Sequence, residues 1–228
     1  MRTVNENMKT CYIIGAAPQV DPRPAPGAAD IVIAADGGLA AARSLGLAPC
    51  LAVGDFDSLG ERPADIPTQC HPVEKDETDT ALAMRRAMEA DCRRILLFGC
   101  TGGRPDHTYA NYLALAEAAG ECCDAWMFGD GYAVTCLAPG RMRFSEKLLG
   151  TVSVFALTEA DGVCETGLYY TLSDASLSCE DPLGVSNKFC GCAAEISLRK
   201  GKLLIFAELG DRSPEAFIAE TERETWTV

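Results

Sequence analysis

The stretch Gly54-Asp55-Phe56-Asp57-Ser58 sets two carboxylates two residues apart in a chain whose net charge is already −13. Like charges at that spacing repel unless solvent or a cation lies between them. A hard divalent cation takes carboxylate oxygens and fills its other positions with water and phosphate oxygens, so the pair reads as a Mg²⁺ site. The alternative is an acidic turn in which Asp57 or Ser58 caps the next segment.

Three further polar clusters each follow a strand-like run. Ala35-Asp36-Gly37-Gly38 places glycines between a strand and a helix, where the backbone can approach a ligand and helix N–H groups can face it; a plain turn capped by Asp36 is the other reading. Glu74–Ala83 reads EKDETDTALA. Asp76 is the expected helix N-cap with Asp79 three residues on, close to a capping box. Lys75, just ahead of the helix, is placed to reach a phosphate, and Asp79 is a candidate third metal carboxylate. The stretch 99–111, GCTGGRPDHTYAN, runs from a strand through Thr101-Gly102-Gly103-Arg104 into a Pro-started helix. Glycines there permit close backbone approach, the helix start attracts anions, and the Arg104 fork holds phosphate. It is neither a Walker A loop nor G-x-G-x-x-G. Asp106 and His107 open that helix. Carboxylates, a lysine, an arginine and a glycine-rich cradle together are equipment for phosphoryl-type transfer from a Mg²⁺-bound nucleotide.

The elements that position these clusters alternate. Strands are expected at 11–16, 30–36, 50–55, 93–99 and 125–130, with helices at 37–47, 78–91 and 106–120. That is the pattern of an α/β parallel-sheet domain, and in such sheets ligands bind beyond the carboxyl ends of the strands, where all four clusters fall. After Tyr132 the helical period fades. Short strands YAVTCL, TVSVFAL, GLYYTL, CAAEISL and KLLIFAEL imply an all-β sandwich or small barrel. The expected division is 9–138, 139–210 and a polar tail at 211–228. Residues 1–8 read as an extension without the apolar region of a signal peptide.

At 228 residues and 48% hydrophobic content the chain can bury a core, and its acidity argues against nucleic acid as a partner. No apolar run reaches the length of a membrane span. Twelve cysteines are scattered without a C-x-x-C pair, and two histidines give a zinc site little to draw on, so buried reduced thiols in a cytoplasmic protein are expected.

The ordered motifs DGG, GDFDS, KDETDTALA and GCTGGRPDH, followed by GVSNKF at 184–189, resemble the thiamine pyrophosphokinase family from about Cys11 to Ala207. The resemblance implies an ATP-binding α/β domain, a thiamine-binding β-sandwich and a homodimer with thiamine in a cleft between subunits. It implies transfer of the diphosphoryl group of ATP to thiamine's hydroxyl, releasing AMP. By matching motif positions, Asp55, Asp57 and Asp79 would hold Mg²⁺. Lys75, Thr78, Arg104 and the Thr101–Gly103 backbone would hold phosphates, and Asp36, Gly37, Asp106 and His107 would line the nucleotide side. Ser186 and Asn187 would contact the pyrimidine, although Lys188 stands where the family often has Glu. An alcohol is a poor nucleophile, so Asp79 or Asp76 is the expected base, with a metal-held alkoxide as the alternative. Trp226 in the tail either stacks on a cationic ring or packs on the surface. Rival readings are a kinase moving the γ-phosphate to another small alcohol and a non-catalytic nucleotide-sensing module.

Overall fold

Short β-branched runs alternate with Ala- and Leu-rich helices through the first half of the chain, and the computed structural model places them as that period requires. The structure describes residues 2–3, 8–17, 20–56, 63–70 and 77–226. In chain order the first half holds β1 (Arg2–Thr3), β2 (Thr10–Ile14), β3 (Ile31–Ala35), α1 (Gly38–Ser44) and β4 (Leu51–Gly54). It continues through β5 (Thr68–Cys70), α2 (Asp79–Glu89), β6 (Arg94–Phe98), α3 (Pro105–Gly120) and β7 (Asp124–Gly129). The second half holds β8 (Tyr132–Leu137), β9 (Gly140–Phe144), β10 (Thr151–Ala156), β11 (Ala160–Thr166) and β12 (Leu172–Leu177). It closes with β13 (Asn187–Lys188), β14 (Ala194–Leu198), β15 (Leu203–Glu208), α4 (Pro214–Ala219) and β16 (Thr221–Thr225).

Contacts divide the chain into two units. One, the α/β unit, comprises Asn7–Ala114 and Ala125–Asp130. Its strand order is β7-β6-β2-β3-β4-β5, and β6/β2, β2/β3, β3/β4 and β4/β5 all pair in parallel. The central strands are buried end to end, as parallel strands covered on both faces are: Ile13, Ile14, Ile33, Ile95, Leu97 and Phe98 are almost wholly inaccessible. Stacked rings of Tyr12, Phe98 and Phe128 cross β2, β6 and β7.

The other, β-rich unit comprises Met1–Glu6, Leu115–Asp124 and Gly131–Val228. It holds an antiparallel sheet in the order β1-β16-β9-β14-β11-β12 and an antiparallel series β13-β10-β15-β8. Burial along β10 alternates strictly, the mark of one covered and one exposed face.

Two expectations shift here. GLYYTL is not one strand: its last residue, Leu172, opens β12, while 167–171 bend, with a single bridge from Leu168 to Phe189. The reason is local. Both the N–H and the C=O of Tyr170 are bonded to the Asn187 side chain, which removes that residue from any ladder. The stretch after Gly210, expected as a polar tail, supplies α4 and β16, and β16 lies between β1 and β9. Ser213 caps α4 by accepting from Ala216 N–H at 3.2 Å, with Pro214 in the first turn. Trp226 continues β16 by donating its backbone N–H to Pro139 at 2.9 Å.

Arg223 of β16 is buried beside Asp124, Nε to Oδ1 at 3.4 Å, and its guanidinium also bonds the Thr135 hydroxyl. Breaking a buried pair leaves one charge uncompensated. Arg223→Ala is therefore expected to cost about 3–5 kcal/mol of stability, read from urea unfolding. A loss below about 1 kcal/mol, typical of an exposed pair, would show that the contact carries no burial penalty.

Candidate functional site

The carboxyl ends of β2, β3 and β6 converge on a cavity of about 580 Å³ within the α/β unit. Its geometry begins with backbone. Gly38 opens α1 so close to β2 that a Cβ there would stand 1.9 Å from Ile14 O. Gly15 likewise admits no side chain, since a Cβ would meet Gly99 O at 2.4 Å. The glycine after Asp36 and Gly37 thus serves strand–helix packing rather than a ligand. The N-cap of α1 is Gly37, with no side-chain cap bond, so Asp36 is not the cap. Asp36 sits in the left-handed region at φ 48° and lines the cavity.

The second wall comes from the start of α2. Its N-cap is Thr78, whose Oγ1 accepts from Ala81 N–H at 3.1 Å. That corrects the expected cap at Asp76: a β-extended Thr immediately before the first helical residue takes the role. Thr78, Asp79 and Thr80 all line the cavity, with Asp79 in the first turn, where the helix dipole favours a negative charge. Glu77, also lining, forms an ion pair with Arg85 at 2.8 Å.

The third wall is the loop 99–104 and the start of α3. Gly102 and Gly103 are consecutive left-handed residues, at φ 76° and 71°, and both line the cavity with Arg104 and His107. Arg104 is exposed and bonds Asp106 at 2.5 Å, which holds the Asp106 carboxyl down at about 2. Asp106 is therefore a partner of Arg104 rather than a wall of the cavity. Thr101 is not a wall either: its hydroxyl occupies the space over Gly129 of β7. Cys100 lines the cavity as a neutral thiol, because burial pushes it up to about 12.

The structure so brings together Asp36, Thr78, Asp79, Gly102, Gly103, Arg104 and His107 from three separate clusters. Gly37 lies beside Asp36 outside the lining, and Asp55 is half-buried at the end of β4, whose Gly54 stands against Asp36. Asp57, Lys75 and Asp76 lie outside the described residues. Among the described residues no group of three or more His, Cys, Asp or Glu side chains is assembled to hold a metal. Sequence reading missed Thr80, Glu77, Thr108 and Asn111 as walls. His107, Thr108 and Asn111 share one helical face at i, i+1 and i+4, a spacing that was open to reading.

The GVSNKF turn belongs to the β-rich unit. Ser186 is exposed at φ 60°, and its N–H donates to Ser153 Oγ at 3.0 Å. Asn187 is buried and fully committed. Its Oδ1 accepts from Tyr170 and Lys188 N–H, each at 2.9 Å, and its Nδ2 donates to Tyr170 O at 2.8 Å and Glu165 Oε2 at 3.0 Å. Those bonds exhaust the amide. Asn187 therefore ties the turn to β11 with the whole of its side-chain amide. All twelve cysteines are described and none is in a disulfide. No helix among the described residues is long and apolar enough to cross a membrane.

Two family models match the chain. One, described as thiamin pyrophosphokinase, catalytic domain, covers residues 26–127; the other, described as thiamin pyrophosphokinase, vitamin B1 binding domain, covers 141–203. A thiamine pyrophosphokinase of Bacillus subtilis is 27% identical over 182 residues, which is 76% of this chain and 85% of that protein. The crystal structure of Bacillus subtilis thiamine pyrophosphokinase superposes with a TM-score of 0.78 at 24% identity, over 88% of this chain and 99% of that one. That of thiamin pyrophosphokinase from Geobacillus thermodenitrificans gives 0.74 at 25% identity, over 91% and 99%.

Burial lifts the Glu165 carboxyl from its ordinary 4.5 to about 7, against the opposing Asn187 hydrogen bond. A carboxyl raised on folding binds its proton more tightly in the native state. Its contribution is complete below about 4.5 and is lost as pH rises through about 7. Between those limits the chain should lose about 2–3 kcal/mol of stability through this group. Urea unfolding at pH 5 and pH 8 should show that loss in the wild type and a flatter dependence in Glu165→Gln. Identical pH dependence in both would remove Glu165 from the account.

Proposed function

The chain belongs to the thiamin pyrophosphokinase family, and we propose that it transfers the diphosphoryl group of ATP to thiamine's hydroxyl, giving thiamine diphosphate and AMP. The observation that carries this reading is the cavity at the strand ends, which draws Asp36, Asp79 and the Gly102–Arg104 loop from separate stretches around one space. The thiamine hydroxyl oxygen bonds to the β-phosphorus of ATP, the bond from that phosphorus to the α-phosphate oxygen breaks, and AMP departs. The hydroxyl proton passes to a base, for which Asp79 and Asp76 are our candidates.

We assign nucleotide binding to 9–138 and thiamine binding to 139–210, the latter as a β-sandwich. Gly102, Gly103 and Arg104 cradle the phosphates together with Thr78, Lys75 and the Thr101 backbone, while Asp36, Gly37 and His107 stand on the nucleotide side. Asp106 acts through Arg104, which it orients. Mg²⁺ is the expected metal, held by Asp55, Asp57 and Asp79; carboxylates of this kind suit a hard cation, which neutralises polyphosphate charge when bound. Ser186 is our candidate contact to thiamine, on a turn held by Asn187. The exposed Tyr169, Tyr170, Leu183 and Val185 around that turn support a face that a second subunit covers in a homodimer. Twelve cysteines without a disulfide fit a reducing compartment, and we read the protein as cytoplasmic.

Incubation with ATP, Mg²⁺ and thiamine, followed by chromatography, tests the reading. AMP and thiamine diphosphate in equal amounts are expected, with kcat about 100-fold or more lower in Asp79→Asn at retained circular dichroism. ADP with thiamine monophosphate would make the protein a γ-phosphate kinase, and ATP binding without turnover would make it a sensor.

A further inference from the structure

Glu165 is 2% exposed on the inward face of β11. Its Oε2 accepts from Asn187 Nδ2 at 3.0 Å, while Oε1 is buried with no hydrogen-bond partner among the described residues. Asn187 belongs to the 184–189 turn and also bonds the backbone of Tyr170 and Lys188, so the carboxyl holds the amide that ties the turn down. Among the described residues no cation faces that carboxyl. The inward row across its sheet runs from Glu165 through Ile196 and Met142 to Arg223, and Arg223 already pairs with Asp124. On the flanking strands, Asp174 of β12 pairs with Arg199 and Glu195 of β14 with Arg143, both pairs reaching solvent. In the turn Lys188 is exposed, and Val152 of β10, the register partner of Asn187, is apolar. A carboxylate in that place would be a desolvated charge with one donor. The neutral acid keeps the same bond through its carbonyl oxygen and carries its proton on Oε1.

We propose that Glu165 is a positioning residue for thiamine and works as the neutral acid: while its proton is on, the Glu165–Asn187 bond keeps the turn in the shape that presents Ser186, and ionisation releases the turn. The matched stretch described as a vitamin B1 binding domain, 141–203, contains both partners of that bond. A carboxylate gains solvation only by opening to water, and the group bonded to it is the turn's own Asn187. The sign follows from burial, which lifts the carboxyl to about 7 in the closed arrangement. A proton held more tightly with the turn closed favours closure at low pH, and that contribution is lost as pH rises through about 7. Thiamine affinity therefore falls as pH rises, whereas the nucleotide cavity belongs to the α/β unit and has no share in this proton. The inference deepens the functional reading above and rests on it, since it takes the 184–189 turn as part of the thiamine site.

Calorimetric titration of thiamine into the full chain loaded with Mg²⁺ and α,β-methylene-ATP, at pH 6 and at pH 8, tests it. Thiamine should bind the wild type about tenfold more weakly at pH 8 than at pH 6. Glu165→Gln has the shape of the neutral acid and keeps an acceptor for Asn187, so the variant should hold the pH 6 affinity at both values. Glu165→Leu keeps the bulk without the acceptor, and should bind thiamine about tenfold more weakly at both, with its affinity for the nucleotide unchanged. If the Leu variant does not fold, the comparison of wild type with Glu165→Gln decides alone. A wild-type affinity that changes less than about twofold, or the same pH dependence in Glu165→Gln, would overturn the inference while leaving the function standing. Failure of thiamine to bind the loaded wild type at either pH would overturn it together with the functional reading.

Discussion

The cavity depends on two backbone contacts that tolerate no side chain. Ile14 O lies where a Cβ on Gly38 would go, and Gly99 O lies where one on Gly15 would go. Through the first, α1 starts hard against the end of β2; through the second, the loop after β6 rests on the segment after β2. The walls supplied by Asp36 and by Gly102–Arg104 are therefore set by backbone sterics before any polar side chain acts. Beneath them the strand ends are anchored by Ile13, Ile33, Leu97 and Phe98, buried to the last few per cent. A close-packed interior transmits displacement rather than absorbing it, so an added methyl group at either glycine would move the walls and not merely crowd them.

The β-rich unit solves its local problem differently. Its 184–189 turn is held by polar groups in a place where apolar packing would be usual. Glu165 occupies an inward position of β11, beside a register shift at Val163, and Asn187 spends its whole amide on Glu165, Tyr170 and Lys188. The Asn187 amide, with all four of its hydrogen-bonding positions used, fixes the geometry of the turn. Ser186 is thereby presented outward at a left-handed φ, and the exposed tyrosines 169 and 170 stand edge to face beside it. The two units thus place their polar groups by different means, steric exclusion in one and side-chain hydrogen bonds to the backbone in the other.

Much of this was legible in the residues. The parallel strands were readable because β-branched runs such as IVIAA and RILLF are apolar throughout, as doubly covered strands must be. The clusters at their ends could be found because Gly, Asp and Arg gather at strand-to-helix turns. The misses have identifiable physical causes. Thr78, not Asp76, caps α2, because several residues in ETDT can serve as a cap and sequence does not rank them. GLYYTL has strand composition, yet a side-chain amide from 17 residues away claims the backbone of Tyr170. β16 reads TERET and looks like surface, since its buried members are the charged Arg223 and Glu224, and the partner of Arg223, Asp124, lies about a hundred residues earlier. The signal for α4, Ser213-Pro214-Glu215 in cap order, was present and went unused. Asn111 stands in the stretch GCTGGRPDHTYAN, but only the tertiary structure shows that it lines the cavity.

The central claim is that nucleotide binds beyond the parallel strands of the α/β unit. Amide hydrogen exchange with and without a saturating Mg²⁺ complex of α,β-methylene-ATP tests it most directly. The account predicts slowed exchange at 15–17, 36–39 and 99–104, with the 184–189 turn unchanged by nucleotide alone. Unchanged exchange at 99–104 under saturation, or protection confined to the β-rich unit, would contradict it.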